Sequence, residues 1–176
     1  MPEKPKKGLL IVNTGDGKGK TTASLGMAVR NLGWGRKVSI IQFAKGSWET
    51  GELRFMKNNG VSIIPTWGEN RWFKKISAEK QQELIDNALK LTHELLNDDS
   101  IDLLILDEIN IMLFNNMIAL DDILPLLHNR PEKMTVILTG RNALPEIINA
   151  ADLVSQVCNI KHPAEKGMPP QKGIEF

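Results

Sequence analysis

The chain has 176 residues, of which 41% are hydrophobic and 24% charged, a composition typical of one globular domain with a buried core. A formal net charge of +1 gives no overall field that would attract nucleic acid, and no apolar run is long enough to span a bilayer. The single cysteine excludes an intrachain disulfide and a cysteine-based zinc site. We therefore expect a cytoplasmic protein with no nucleic-acid or membrane partner, in which residues 1–7 form a disordered arm and residues 8–176 one domain.

The first strong motif is TGDGKGKTT, residues 14–22. It follows an apolar run at residues 8–12, which predicts a buried strand, and it precedes a helical pattern at residues 21–32. This order predicts a phosphate-binding loop, whose backbone amides and helix N-terminus attract an anion. Lys20 would reach the outer phosphates, and the Thr21 hydroxyl would bind Mg²⁺. The candidate nucleotide-binding residues of this motif are Thr14, Gly15, Asp16, Gly17, Lys18, Gly19, Lys20, Thr21 and Thr22.

The motif departs from the usual spacing at one position. Thr14 stands where the first glycine of a phosphate-binding loop belongs, and Lys18 adds a further cation. An ordinary glycine turn before a helix is the alternative interpretation. The strand and helix patterns on either side favour the phosphate-binding loop instead.

The rest of the chain alternates apolar runs with amphipathic stretches. This alternation predicts right-handed crossovers and a doubly wound α/β fold, with a mainly parallel sheet covered by helices on both faces. Ser77 is expected to cap the long third helix, Cys158 to lie buried in the last strand, and the tail from Lys161 to lack regular structure. The expected strands span residues 38–43, 61–64, 101–106, 134–138 and 153–160, and the expected helices residues 52–58, 77–97, 120–128 and 145–150.

Polar side chains follow two of these strands. Asp107 and Glu108 come after the apolar run at residues 101–106, and in nucleotide-binding folds such an acid holds Mg²⁺ directly or through water. Arg141 follows the strand at residues 134–138, where such sheets present ligand-binding side chains. A helix start would also tolerate the two acids, and a solvated side chain is the alternative for Arg141. Together these residues predict a site for a nucleoside triphosphate with Mg²⁺, where the loops after the strands converge.

The irregular stretch at residues 65–76 contains three aromatic side chains, Trp67, Trp72 and Phe73. Aromatic residues in a loop either pin that loop to the core or face a flat ligand. The residues alone favour pinning, because most large apolar rings are buried against other apolar groups.

These residues do not determine which reaction the protein catalyses. Glu108 could activate water, which would make the protein an ATPase. The aromatic loop could hold an acceptor hydroxyl, which would make it a small-molecule kinase. A third alternative is attack at the ribose carbon rather than at phosphorus.

Further motifs follow residues 14–22 in order along the chain, at residues 42–46, 48, 51–52, 106–108, 139–141, 151–154, 161–163 and 171–176. Through these motifs the chain resembles the ATP:corrinoid adenosyltransferases of the CobA/BtuR/CobO type. This resemblance runs nearly from end to end. It implies a RecA-like P-loop fold and transfer of the 5′-deoxyadenosyl group of ATP to the Co(I) of a corrinoid. The corrinoid would be cobalamin or a precursor, and triphosphate would be the leaving group, in adenosylcobalamin biosynthesis or salvage.

The resemblance also assigns roles. It implies nucleotide contacts by Gln42, Lys45 and Arg141, in addition to the phosphate-binding loop. Lys20 and Glu108 would be catalytic, and Mg²⁺ would be held by Thr21, Asp107 and Glu108. No general base is required, because cobalt itself brings the electron pair. A homodimer and a reductase, of the flavodoxin type or another, are the protein partners that the resemblance implies.

The chain departs from the family's pattern in two places. The family's loop after the third strand carries Gly-x-Gly-Phe-Thr-Trp, whose aromatic residues displace the lower axial ligand of cobalt(II). Trp72 and Phe73 are the nearest substitutes by position and are therefore candidate catalytic residues, with Trp67 as the rival. The second departure is the short segment before the first strand, so we expect corrinoid binding to be weaker, or the corrinoid to be covered differently, by a partner subunit for example. The alternatives to this function are a P-loop ATPase, a small-molecule kinase, or a nucleotide- and corrinoid-binding protein of low turnover.

Overall fold

The computed structural model describes residues 7–43, 50–66 and 76–174. The strands are β1 (Leu10–Thr14), β2 (Val38–Gln42), β3 (Ser62–Pro65), β4 (Leu103–Asp107), β5 (Thr135–Thr139) and β6 (Leu153–Gln156). The α-helices are α1 (Lys20–Gly33), α2 (Gly51–Asn58), α3 (Ala78–Leu96), α4 (Ile109–Phe114), α5 (Leu120–His128) and α6 (Pro145–Ala150). A 3₁₀ helix spans Pro163–Lys166. None of the helices in these ranges is long and apolar enough to cross a membrane.

The six strands form one sheet in the order β3-β2-β4-β5-β1-β6, and every pairing is parallel. The predicted doubly wound α/β fold is therefore confirmed. A sheet of this kind arises because the strands are apolar on both faces and each crossover must return over one face. All five side chains of β1, β2 and β4 are buried.

Two hydrophobic cores cover the two faces of the sheet. Alternate residues of one strand enter different cores: Leu104 and Leu106 pack with α3, α4 and α5, whereas Leu103 and Ile105 pack with α1 and α2. This division follows from the two-residue period of a strand. It places α1, the helix that follows the glycine motif, on the face shared with α2.

Most predicted elements are present, with bounds that move by one or two residues. Ser77 caps α3 as predicted, since its hydroxyl accepts a hydrogen bond from the backbone N–H of Lys80 at 3.3 Å. Asp107 ends β4, and Glu108 is the N-cap of a short helix, α4, that the sequence did not predict. The expected disordered arm at residues 1–7 lies outside the described residues except for Lys7.

Three predictions about the end of the chain are wrong. The last strand ends at Gln156 instead of residue 160, and Cys158, expected to be buried, is exposed. The reason is that β6 lies at the edge of the sheet with its side chains exposed, so an apolar run there does not enter a core. The tail contains the 3₁₀ helix Pro163–Lys166, although it was expected to have no regular structure.

The segment after β6 packs directly on the glycine motif. The N–H of Val157 donates to the carbonyl oxygen of Thr14, and the N–H of Gly17 donates to the carbonyl oxygen of Val157, both at 2.8 Å. A Cβ on Gly15 would lie 2.5 Å from the Val157 carbonyl oxygen, and one on Gly17 would lie 2.5 Å from that of Cys158. These two glycines are therefore required by the close approach of another backbone, in addition to any contact with a ligand.

We expect Gly17→Ala to lower the free energy of unfolding by about 1–3 kcal/mol, because a backbone carbonyl must move to admit the methyl group. Gly26→Ala is the matched control: Gly26 is inside α1 and its Cβ would meet open space, so alanine should raise the free energy of unfolding by about 1 kcal/mol. Urea denaturation measures both changes. Equal stability of Gly17→Ala and the unmodified protein would contradict the packing argument.

Candidate active site

The candidate site lies at the carboxyl edge of the sheet, where the parallel strands present their last residues. The register places Asn13 of β1 beside Thr139 of β5, and Gln42 of β2 beside Asp107 of β4. The glycine motif, the two acids and the Thr-Gly-Arg segment therefore meet at one edge. This convergence was predicted from the alternation of strands and helices.

The glycine motif leads into the N-terminus of α1. Gly19 occupies the N-cap position with a φ of 123°, a conformation that favours glycine. No side chain caps this end of α1, and its first turn contains no acidic residue. The first backbone amides and the helix dipole are therefore suited to an anionic ligand.

Lys20 is the most buried cation of the site, with 8% of its surface exposed. Its Nζ donates a hydrogen bond to the carbonyl oxygen of Gly17 at 2.7 Å. Burial lowers the pKa of Lys20 below its ordinary value of 10.5, and nearby Arg141 lowers it further, while Glu108 and Asp16 oppose the shift. A bound polyanion would favour the charged form of this lysine.

The Asp107 carboxylate joins the glycine motif to β5. Its Oδ1 accepts hydrogen bonds from the hydroxyl groups of Thr21, at 2.8 Å, and Thr139, at 2.7 Å. Asp107 and Thr139 are fully buried, whereas Thr21 is half-buried at the rim of a cavity. The contact between Thr21 and Asp107 brings together two of the residues that the sequence analysis assigned to Mg²⁺.

Thr139 is a residue of the site that the sequence analysis did not assign. Its hydroxyl oxygen also accepts a hydrogen bond from the backbone N–H of Glu108 at 2.9 Å. Glu108 has a φ of 64°, a left-handed conformation that is uncommon for a residue other than glycine. Thr139 thus fixes both the carboxylate of Asp107 and the backbone of Glu108. The available signal was a hydroxyl residue at the carboxyl end of the strand next to β4.

The oxygen donors present fit Mg²⁺. Thr21, Asp107 and Glu108 supply a hydroxyl and two carboxylates, and Mg²⁺ is usually bound by one or two carboxylates together with substrate phosphates. Within the described ranges, no three His, Cys, Asp or Glu side chains cluster as a metal-binding group of their own. The phosphate oxygens of a nucleotide would therefore supply the remaining ligands of Mg²⁺.

Two cavities meet at the glycine motif and share Lys18, Lys20 and Glu108. The larger has a volume of about 740 Å³ and extends from Gly19 along α1 to α2. The smaller has a volume of about 220 Å³. The larger cavity has an apolar wall formed by Leu25, Val29, Phe55 and Met56. The smaller is also lined by Asp16, Gly17, Ile111, Arg141 and His162.

The remaining assigned residues lie in several places. Thr22 lines the larger cavity. The Thr14 hydroxyl accepts a hydrogen bond from the backbone N–H of Ala143 at 3.2 Å, so Thr14 links the glycine motif to the loop after β5. Gln42 is the last residue of β2 and is buried, and its contact with nucleotide stays a prediction. Lys45, Trp67, Trp72 and Phe73 lie outside the described residues, so their roles also stay predictions.

Comparison with known proteins finds relatives over nearly the whole chain. The family model for "ATP:corrinoid adenosyltransferase BtuR/CobO/CobP" matches residues 6–176. The chain is 36% identical to the corrinoid adenosyltransferase of Pseudomonas aeruginosa, over 97% of this chain and 85% of the relative. It is 34% identical to that of Escherichia coli K12, over 97% of this chain and 87% of the relative.

A structural relative supports the fold class. The flagellar accessory protein FlaH from Methanocaldococcus jannaschii superposes with a TM-score of 0.54 at 17% identity, over 86% of this chain and 71% of that chain. This likeness shows a P-loop fold of the RecA-like kind and nothing about the reaction. The family model and the sequence relatives extend over nearly the whole chain. On this evidence the protein belongs to the ATP:corrinoid adenosyltransferase family.

Proposed function

We propose that the protein transfers the 5′-deoxyadenosyl group of MgATP to the Co(I) centre of a corrinoid, cobalamin or a precursor, and releases triphosphate. The observation that carries this proposal is the larger cavity, in which Lys20 and Thr21 lie next to an apolar wall. Its volume of about 740 Å³ is in the range of sites for organic ligands, roughly 300–1,000 Å³. The cavity thus has a phosphate-binding end and room for apolar parts of the reactants.

The chemistry explains why the site needs cations more than a base. Co(I) brings its own electron pair to C5′, so the Co–C bond forms while the C5′–O bond breaks and its electron pair leaves on the triphosphate. No proton is taken from the nucleophile. The negative charge that develops on the leaving group would be stabilised by Lys20 and by the amides at the N-terminus of α1.

The same proposal assigns Mg²⁺ to Thr21, Asp107 and Glu108. Thr21 and Asp107 are already in hydrogen-bond contact, and Glu108 lines both cavities. When bound, the ion supplies positive charge that makes triphosphate a better leaving group. These residues hold and orient the charged end of the nucleotide, and Arg141 adds a cation on the side of the smaller cavity.

Two protein partners, a reductase and a second copy of the chain, are implied by the family and are part of the proposal. A reductase, of the flavodoxin type or another, would supply the electron that converts cobalt(II) to Co(I). A second copy of the chain would form a homodimer, and the reaction would take place in the cytoplasm. Trp72 and Phe73 would face the corrinoid and displace the lower axial ligand of cobalt(II).

We expect Trp72→Ala and Phe73→Ala to reduce turnover from cob(II)alamin much more than turnover from chemically reduced cob(I)alamin. The reason is that a displaced axial ligand matters for reduction and not for the later attack on C5′. Trp34→Ala is the matched control, because Trp34 is exposed at the end of α1. Parallel assays with the two cobalt states measure the difference, and equal losses in both would contradict the axial-ligand role.

One assay tests the function itself. The protein is incubated with MgATP and chemically reduced cobalamin, and the phosphorus and cobalt products are identified. Triphosphate together with a photolabile cobalt–carbon product supports the proposal. ADP or orthophosphate without alkylation would replace it with an ATPase or a kinase, and binding of both substrates without product would indicate a binding protein.

A further inference from the structure

His162 is the most buried residue of the chain segment from 158 to 174. Every residue from 158 to 174 is exposed except His162, which is half-buried. The His162 ring forms part of the wall of the smaller cavity, together with Lys20, Glu108 and Arg141. An exposed tail thus places a single ring beside the phosphate-binding lysine.

The local backbone fixes which nitrogen of the ring carries the proton. The backbone N–H of Ala164 donates a hydrogen bond to Nδ1 of His162 at 3.1 Å. In a neutral imidazole that accepts at Nδ1, the proton is on Nε2. Pro163 restricts the preceding residue to extended backbone, and His162 has a φ of −129° and a ψ of 136°. His162 therefore has a defined N–H donor on its distal nitrogen.

The charges around the smaller cavity favour an anion. Three cations, Lys18, Lys20 and Arg141, line it against two carboxylates, Asp16 and Glu108. Because Lys18, Lys20 and Glu108 also line the larger cavity, a triphosphate seated on the glycine motif lies next to both. Phosphate oxygens accept hydrogen bonds readily, and a donor already held in place loses little entropy when it binds.

We propose that His162 is a phosphate-binding residue, whose Nε2–H donates a hydrogen bond to the triphosphate of bound ATP and of the product. The identity of the nucleotide rests on the proposed function. The phosphate-binding site would then include part of the chain segment after β6, which packs on the glycine motif through the backbone of Val157.

Two substitutions at position 162 distinguish the role of Nδ1 from the role of Nε2. In His162→Asn the amide oxygen takes the place of Nδ1 and still accepts from Ala164, but the distal donor is lost. In His162→Gln the amide nitrogen reaches the place of Nε2, while the contact with Ala164 is lost. Lys161→Ala is the matched control, because Lys161 is exposed and is outside the lining of both cavities.

Equilibrium binding of inorganic triphosphate, ATP and adenosine, each with Mg²⁺, tests the proposal. We expect His162→Asn to raise the Kd of triphosphate and ATP about tenfold and to leave that of adenosine unchanged, as for loss of one hydrogen bond to a charged group. His162→Gln and Lys161→Ala should remain within about threefold of the unmodified protein.

Three outcomes would overturn the proposal: an unchanged triphosphate Kd in His162→Asn, an equal weakening of adenosine, or a loss in His162→Gln as large as in His162→Asn. The last two would indicate that the ring only supports the local chain. These measurements involve no cobalt. A failure of the adenosyl-transfer assay would therefore leave the result on His162 interpretable.

Discussion

Replacing Lys20 with alanine is expected to reduce adenosyl transfer about 10²–10³-fold, the loss typical when one preorganised group that stabilises developing charge is removed. Lys20 is the most buried cation of the site, and it lies at the start of α1, between the two cavities. Its charge would stabilise the triphosphate as the C5′–O bond breaks. The rate of formation of the photolabile cobalt–carbon product from MgATP and cob(I)alamin measures the effect.

The fold should survive this change, because alanine is a good helix former and Lys20 is in the first turn of α1. Lys57→Ala is the matched control, since it removes the same charge from an exposed position at the end of α2. Near-normal transfer by folded Lys20→Ala protein would remove the assignment of residues 14–22 as the phosphate-binding loop. Thermal unfolding of both variants shows whether they are folded.

Replacing Thr139 with valine is expected to raise the half-saturating Mg²⁺ concentration of the transfer reaction about 10–100-fold, as is usual when a residue that orients a metal-binding side chain is lost. Valine has nearly the shape of threonine but cannot hydrogen-bond to Asp107 or to the backbone N–H of Glu108. Both groups would then lose a hydrogen bond that helps to set their orientation. Thr139 acts through these residues and is a positioning residue.

Thr139→Ser is the matched variant, because it keeps the hydroxyl and loses only a methyl group. We expect serine to restore most of the Mg²⁺ affinity. Loss of the hydrogen bonds from Thr139 to Asp107 and from the Glu108 amide to Thr139 in Thr139→Val would also cost about 1–3 kcal/mol of stability, so activity is compared per folded molecule. If the Mg²⁺ dependence of Thr139→Val matched that of the unmodified protein, Thr139 would have only a packing role.

The apolar runs and the glycine motif were sufficient to predict the sheet, because strands buried on both faces must be apolar throughout. The strands at residues 38–43 and 134–138 and the helices at 120–128 and 145–150 were found within one residue of their observed bounds. Element order alone then implied parallel pairing, since every crossover contains a helix. The place of the candidate site at the carboxyl edge followed from the same argument.

Residues whose environment depends on distant chain segments were predicted less well. Cys158 is in an apolar stretch, but β6 is an edge strand, and no sequence period reveals which strand lies at an edge. The helix α4 was missed because its sequence, INIMLF, is almost wholly apolar and shows no amphipathic period, whereas the equally short α6 begins with Pro145, a signal of a helix start. Thr139 was not recognised because its partners are 31 and 32 residues away in the chain.

The glycine motif shows most clearly which features follow from the local sequence and which depend on the tertiary structure. By itself the sequence determined a glycine-rich turn before a helix and predicted a phosphate-binding loop at residues 14–22, since chain flexibility and the Gly-Lys-Thr order are local properties. Only the tertiary structure decided that the backbone of residues 157–158 lies too close to Gly15 and Gly17 for a side chain there. It also decided that the Thr14 hydroxyl, at the end of β1, accepts a hydrogen bond from the backbone N–H of Ala143. The physical reason is that these contacts join segments about 130–140 residues apart, whose approach is set by the order of strands in the sheet.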